Sequence, residues 1–221
     1  YDHIIGLENG LFDLDTKTFI QDGEQYLVTR NMDVVYDPEA ECPVFDQMMV
    51  RLFPDEEKRH FVMKSLGYAL SGKNNLKSFF IWVGSGDNGK STVIEAVSFV
   101  FGDYAITLDP NSFIRNAGGG IPNDIADLRG ARLCVTSETA AGAVMDASLI
   151  KRLTGGDTIT ARYLYGEYFK FVNKAPIFLL SNFVPVFDGN DSAMSTRVCI
   201  VQFDQVISEG EKVHDMADKL R

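Results

Sequence analysis

The segment Gly84-Ser85-Gly86-Asp87-Asn88-Gly89-Lys90-Ser91 fits the pattern GxxxxGK[ST] at every position, and Thr92 follows it. Such a segment can hold a triphosphate. Glycines let the backbone turn so that successive N–H groups face one anion. A helix opening near Lys90 adds the partial positive charge of its N-terminus. Lys90 is then placed to reach the β- and γ-phosphates, and the Ser91 hydroxyl to bind Mg²⁺. Residues 84–92 are therefore the expected binding residues for a nucleoside triphosphate with Mg²⁺.

A triphosphatase also needs an acid at the end of a neighbouring strand, to handle Mg²⁺ and the attacking water. The run Leu133-Cys134-Val135-Thr136-Ser137-Glu138 supplies Glu138, read here as the residue that polarises water and stands beside the metal. Ser137 occupies the preceding position, where many such enzymes carry a second acid. Most of the Mg²⁺ coordination then falls to Ser91, the phosphates and water. Glu95, on the helix after the loop, reads as a solvated charge.

A third stretch suggests a different chemistry. Thr158 to Phe171 reads as a β-hairpin with its turn at Tyr165-Gly166. Residues 151–174 hold five basic side chains against two acids, with Tyr163, Tyr165 and Tyr168 interleaved. Basic and aromatic groups on a projecting hairpin suit single-stranded nucleic acid. Taken alone, the segment reads slightly better as a sheet-edge hairpin with strand-favouring tyrosines.

These residues need a scaffold. Phe79 to Val83 is a continuous apolar run, as expected of a strand buried on both faces, and the helix Ser91 to Phe101 follows the glycine-rich loop. Leu133–Thr136, Ile177–Leu180 and Val198–Val201 are further buried-strand candidates, and strands alternating with helices indicate an α/β sheet with parallel strands. Upstream, Asn9-Gly10 is a turn signal, Leu11 to Asp15 alternates like a strand, and Asp15-Thr16-Lys17 reads as another turn. Phe45–Phe53 and Glu57–Leu70 have helical apolar spacing. Asn116 to Gly120 reads as a mobile loop.

Bulk properties bound the answer. The 221 residues are 45% hydrophobic and 24% charged, ordinary for a globular chain, and no apolar run is long enough to span a bilayer. Cys42, Cys134 and Cys199 form no CxxC pair, which predicts reduced thiols and a cytoplasmic setting, and the scattered histidines predict no zinc site. The net charge of −10 counts against nucleic acid binding as a whole-surface property and leaves room for a local basic patch. A start at Tyr1, and a tail at Glu211–Arg221 that reads as a helix just begun, point to an excised piece of a longer protein.

Several segments together carry a resemblance. They are Gly84–Thr92, Arg129-Gly130-Ala131-Arg132 leading to Ser137-Glu138-Thr139, Lys151-Arg152-Leu153-Thr154-Gly155-Gly156-Asp157, Leu180-Ser181-Asn182 with Pro185, and Thr196-Arg197-Val198. In this order and spacing they resemble the superfamily 3 helicase domain of phage and plasmid primase–helicases, a group that includes poxvirus primase-helicases. Asn9 to Leu14 and Tyr36-Asp37-Pro38 resemble the segment that precedes the helicase core in these proteins. The resemblance covers nearly the whole chain, and residues 151–157 are its most specific part.

The resemblance implies an α/β fold: a P-loop NTPase core, AAA+-like, with a mainly parallel central sheet, a projecting β-hairpin and a small N-terminal appendage. It divides the chain into an accessory segment at 1–56, the ATPase core at 57–207 and the start of a truncated C-terminal element at 208–221. Asn182 would be the polar sensor of the γ-phosphate or the lytic water. Arg197, fifteen residues on, would be an arginine finger acting on the neighbouring subunit's nucleotide. Lys151 or Arg152 would be a further phosphate sensor. The hairpin would line the central channel of a homo-oligomeric ring, a hexamer, and grip single-stranded DNA. Its tip at Tyr165-Gly166 lacks the Lys and His that some relatives carry there, so DNA contact falls to Arg162, Tyr163, Tyr165 and Lys170.

The implied whole is an ATP-dependent DNA helicase for replication of a phage, virus or mobile element, in the host cytoplasm, with a primase domain on the same full-length chain and no membrane partner. Two other readings stay open. One is a P-loop kinase of a small molecule, although an arginine-rich lid cluster is not seen. The other is a DNA-binding assembly module that uses ATP only as structural glue.

Overall fold

The computed structural model describes residues 2–115, 122–137, 142, 144–187 and 192–208. Glu138, the glycine run Asn116 to Gly120 and residues 209–221 therefore lie outside the described residues.

The chain opens with an antiparallel meander of β1 (Ile4–Leu7), β2 (Gly10–Asp13) and β3 (Thr18–Ile20). Its second turn forms because the Asp13 carboxylate accepts from the backbone N–H groups of Asp15 and Thr16, at 2.9 and 3.2 Å, while Lys17 takes a left-handed φ of 57°. Helix α1 (Pro43–Leu52) starts on a proline, whose fixed φ suits a first turn. Helix α2 (Glu56–Leu70) is capped by Asp55, which accepts from the Lys58 N–H at 2.9 Å, and Glu56 and Glu57 complement its positive end.

The remainder builds the sheet and its cover. In chain order come β4 (Phe79–Val83), α3 (Lys90–Phe101), β5 (Ala105–Leu108), β6 (Leu133–Thr136), β7 (Val144–Met145), α4 (Ala147–Gly155), β8 (Thr158–Ala161), β9 (Phe169–Val172), β10 (Ile177–Ser181), β11 (Val186–Phe187), α5 (Ser192–Ser195) and β12 (Val198–Gln202). Five strands form one sheet in the order β12-β4-β10-β6-β5, and every neighbouring pair is parallel. The fold is thus mixed α/β with a parallel central sheet. Four of these strands are the apolar runs read from the sequence, but the expectation of a buried strand fails for β12, an edge strand in which Ile200 is exposed and only Val201 is buried. The fifth, β5 (Ala-Ile-Thr-Leu), lies at the other edge, and Thr107, exposed within it, breaks the apolar run.

Alternation along each strand feeds two hydrophobic layers. Phe80, Trp82, Phe178, Leu180, Leu133 and Val135 face α3 and the first helices. Phe79, Ile81, Ile177, Leu179 and Cys134 face α4 and the short helical turn at Asn123–Leu128. Both faces are covered, which is why β4 and β10 read as unbroken apolar runs. Ile5, Met32, Met49, Leu52 and Phe53 pack into the first layer, so one core runs continuously across residue 56.

Cys134 is fully buried, and burial, with Asp124 nearby, pushes its thiol above the ordinary cysteine range, whereas Cys42 is exposed. A thiol-reactive chromophore is therefore expected to label Cys42 rapidly in the native protein and Cys134 only after denaturation. Mass spectrometry of labelled peptides reads this directly, and fast native labelling of Cys134 would contradict the packing described.

A parallel sheet has two unlike edges. At the carboxyl edge, β4 runs into the glycine-rich loop and β10 into Asn182. At the amino edge lie Arg197, which precedes β12, and the base of the β8–β9 hairpin, whose second strand passes through Asn173 to Pro176 into β10. The carboxyl edge is where ligands bind in open α/β sheets, beside the strand at which the order switches direction. That strand is β4, with β10 on one side and β12 on the other.

Candidate functional site

The glycine-rich loop spans the step from β4 to α3. Gly84 donates its N–H to Ser181 O at 3.2 Å, which fixes the start of the loop to the end of β10. Gly86, Asp87 and Gly89 take φ values of 102°, 46° and 75°, so the backbone coils through left-handed positions before the helix begins. Gly84 is demanded by space: a Cβ there would lie 2.0 Å from Asn88 Nδ2 and 2.9 Å from Phe203 O. Leu52 packs beneath Gly89, where a Cβ would meet it at 2.9 Å.

Lys90 is 6% exposed and folds back over the loop, donating to Gly84 O at 2.6 Å and to Asn88 Oδ1 at 3.0 Å. Two features fit an anion. Helix α3 has no side-chain cap at its N-terminus, and Asn88 Nδ2 is buried without an acceptor among the described residues. Ser91 is exposed and Thr92 half-buried in the first turn of α3.

A strap unseen in the sequence reading braces this loop. Phe203 N–H donates to Val83 O, and Ile207 N–H donates to Asp87 O, each at 2.7 Å. Between them, Asp204 pairs with Lys58 at 2.7 Å, and Arg51 donates to Gln205 Oε1 and Val206 O at 3.2 and 3.3 Å. Phe203 anchors the strap against Phe53 and Trp82, with ring centroids 4.8 and 5.1 Å away. Its residues carry no motif. Its local signal in the sequence is limited to the apolar Phe203, Val206 and Ile207 after β12.

The other predicted residues divide between the two edges. Ser181 is in register with Val83, so the exposed Asn182 follows at the position beside the loop. Strand β6, which leads toward Glu138, flanks β10 with Thr136 opposite Leu179. Arg197 is not brought to the loop. Its carbonyl accepts from Phe79 N–H at 2.8 Å, at the far end of β4, a strand of roughly 13 Å by ordinary strand rise. Arg197 Nη1 donates to Ala193 O at 2.6 Å, and its Nε is buried without an acceptor among the described residues. Lys151 and Arg152 are half-buried on α4.

The hairpin pairs Ala161 with Phe169 and Thr158 with Val172. Ile159 and Ala161 are buried, and Lys170 is exposed on the other face with Thr160. The tight turn is Tyr163 to Gly166, closed by Gly166 N–H donating to Tyr163 O at 2.9 Å. Tyr165 itself takes the left-handed position, with φ 62°, one residue earlier than a glycine-centred turn would place it. Tyr165 is 96% exposed, and Leu164 and Tyr168 are exposed beside it. Tyr163 is partly anchored, its ring 5.3 Å from that of Phe169. The Arg162 guanidinium stacks 4.9 Å from the Tyr168 ring centroid. The four predicted contact residues thus share one exposed element.

Comparison with known proteins adds a second line of observation. The family model described as "Family of unknown function (DUF5906)" matches residues 82–197, and the model described as "D5 N terminal like" matches residues 1–54. A protein of Acanthamoeba polyphaga mimivirus named as a putative helicase is 31% identical over 91% of this chain, which spans 22% of that relative's length. One from Invertebrate iridescent virus 6, similarly named, is 30% identical over 93% of the chain and 22% of its own length. A protein of African swine fever virus named as a putative primase is 22% identical over 89% of the chain and 21% of its own length. Among solved structures, the apo C-terminal region of NrS-1 superposes with a TM-score of 0.64 at 14% identity, over 84% of this chain and 43% of that one. No helix among the described residues is long and apolar enough to cross a membrane.

Proposed function

The chain belongs to the DUF5906 family, and from that premise we propose that it is the ATP-hydrolysing core of a viral or mobile-element replication helicase of the superfamily 3 type. The observation that carries this reading is the loop after β4: an uncapped helix start, three left-handed residues, an orphaned Asn88 donor and a buried Lys90, all at the carboxyl edge of a parallel sheet. The likeness to viral proteins named as helicases and primases supports the replication setting.

In this reading the core is AAA+-like. The backbone N–H groups of Gly84 to Ser91 and the Lys90 ammonium would hold the β- and γ-phosphates of ATP, and the Ser91 hydroxyl and the Glu138 carboxylate would hold Mg²⁺. Bound Mg²⁺ supplies charge neutralisation at the phosphate oxygens. Glu138 polarises the attacking water and Asn182 orients it. Arg197 sits at the opposite edge from its own loop, so it serves the loop of a neighbouring subunit in a ring, taken to be a hexamer. The hairpin carries Arg162, Tyr163, Tyr165 and Lys170 to single-stranded DNA in the channel, where tyrosine faces stack on bases and the cations meet phosphates. A primase domain on the full-length chain and a site in the host cytoplasm complete the reading.

Mixing two inactive variants tests the shared site. Lys90→Ala and Arg197→Ala chains alone are expected to show little hydrolysis, and their mixture to recover part of the DNA-stimulated rate, because some interfaces then combine an intact Lys90 with an intact Arg197. A Arg197→Ala chain with the native turnover number would sink the trans arrangement. ATP consumption indifferent to single-stranded DNA would favour a small-molecule kinase.

A further inference from the structure

The amino edge of the sheet holds a cavity of about 190 Å³ that the reading above does not use. Three cations line it, Arg30, Arg132 and Lys174, and among the described lining residues Asp2 is the one acid. The site thus carries a positive excess in a chain whose formal net charge is −10. Arg132 is 6% exposed. It donates to three backbone carbonyls, Leu70 O at 2.7 Å, Asp2 O at 2.7 Å and Ile4 O at 3.0 Å, and lies 5.0 Å over the Tyr104 ring. Carbonyl dipoles satisfy these N–H groups without cancelling the charge, which a guanidinium does not shed. Asp2 is already engaged by Lys174, whose hydrogen bond holds the carboxyl below its usual range.

Two glycines let the guanidinium groups pack close against the backbone at the cavity wall. A Cβ on Gly72 would lie 2.8 Å from Arg132 Nη1, and one on Gly130 3.1 Å from Arg30 Nε, and both glycines take left-handed φ. The volume exceeds the ~30 Å³ share of a single water several-fold, which leaves room for a phosphate group. The cavity also joins the hairpin. Lys174 lies just beyond β9, and Arg30 Nη2 donates at 2.8 Å to the carbonyl of Arg129, whose guanidinium sits 4.9 Å from the Phe169 ring.

We propose that this cavity is a phosphate-binding site, formed by Arg30, Arg132 and Lys174, that takes a backbone phosphate of the strand lying along the hairpin. The phosphate chemistry stands on the cavity alone. Only the strand as its source rests on the reading of the hairpin as a DNA contact.

Two titrations on the whole chain decide the matter. Inorganic phosphate is expected to shift the backbone amide resonances of Gly72 and Gly130, which line the cavity far from the Lys90 loop. Lys174→Gln is expected to weaken that response and Asp2→Asn to strengthen it. With an oligothymidylate, Lys174→Gln is expected to lower the slope of log K against log salt by about 0.7, one phosphate's worth. Loss of the phosphate response in Lys174→Gln with an unchanged DNA slope assigns the site to free phosphate or phosphorylated small molecules. No shift at Gly72 or Gly130 and an unchanged slope overturns the proposal. Neither readout requires ATP hydrolysis, so an inactive glycine-rich loop would leave this test intact.

Discussion

Lys90→Ala is expected to reduce ATP turnover by on the order of 10²- to 10³-fold, the usual cost of removing one preorganised donor from a developing charge. The structure says why no neighbour substitutes. Lys90 is buried over the loop, and its ammonium already bridges Gly84 O and Asn88 Oδ1. With alanine there, the buried Gly84 carbonyl and Asn88 lose a charged donor at the point where phosphate would arrive. Lys90→Arg is not expected to rescue activity, because a planar fork cannot occupy the space of a compact ammonium. Steady-state phosphate release measures the effect, with circular dichroism as the control for folding. A variant with native turnover would remove the loop from the chemistry.

The second large effect falls on stability. Arg132→Met should cost about 3 kcal/mol, since three carbonyls lose their donor and a stranded buried acceptor costs ~1–3 kcal/mol, here at the low end because two of the three bonds are only part-buried. For a chain of this size that corresponds to a fall in Tm of roughly 6–12 °C. Methionine keeps the contact with Tyr104 and the approximate volume, so the loss reports the stranded carbonyls more than a cavity. Those carbonyls belong to the start of the chain and the end of α2, so the melting of β1 and α2 is the specific consequence. A Tm within 2 °C of native would show that water satisfies them instead.

Much of the carboxyl edge was legible in the sequence because its signals are local. Both faces of β4 and β10 are covered, so each shows as an unbroken apolar run. The glycine-rich loop is contiguous, and its constraints fall within the span from Gly84 to Ser91, apart from Leu52 and Phe203 behind it. The amino edge was far less legible. Arg132 reads as one basic residue among several in the resemblance, yet it ties residues 2, 4 and 70 together. No window of sequence contains those partners. The strap from Phe203 to Ile207 was missed for the same reason, since it is defined by Arg51, Lys58 and Asp87. The sequence places the hairpin turn at Tyr165-Gly166, whereas the structure closes it from Tyr163 to Gly166 and gives the left-handed position to Tyr165. The short pair β7 and β11, two residues each, has no pattern long enough to read.

The strand order of the central sheet carries a consequence for synthesis on the ribosome. Strand β4 lies between β10 and β12, both encoded about a hundred residues later. At ~5–20 residues per second, Phe79-Phe80-Ile81-Trp82-Val83 waits roughly 5–20 s before either hydrogen-bonding neighbour exists. During that interval the nascent chain displays an uncharged apolar strand with two open backbone edges, the type of segment that recruits chaperones or pairs with another copy. A message that ends before Ile177 leaves that state permanent, so such fragments are expected to partition into the insoluble fraction while chains reaching Gln202 do not.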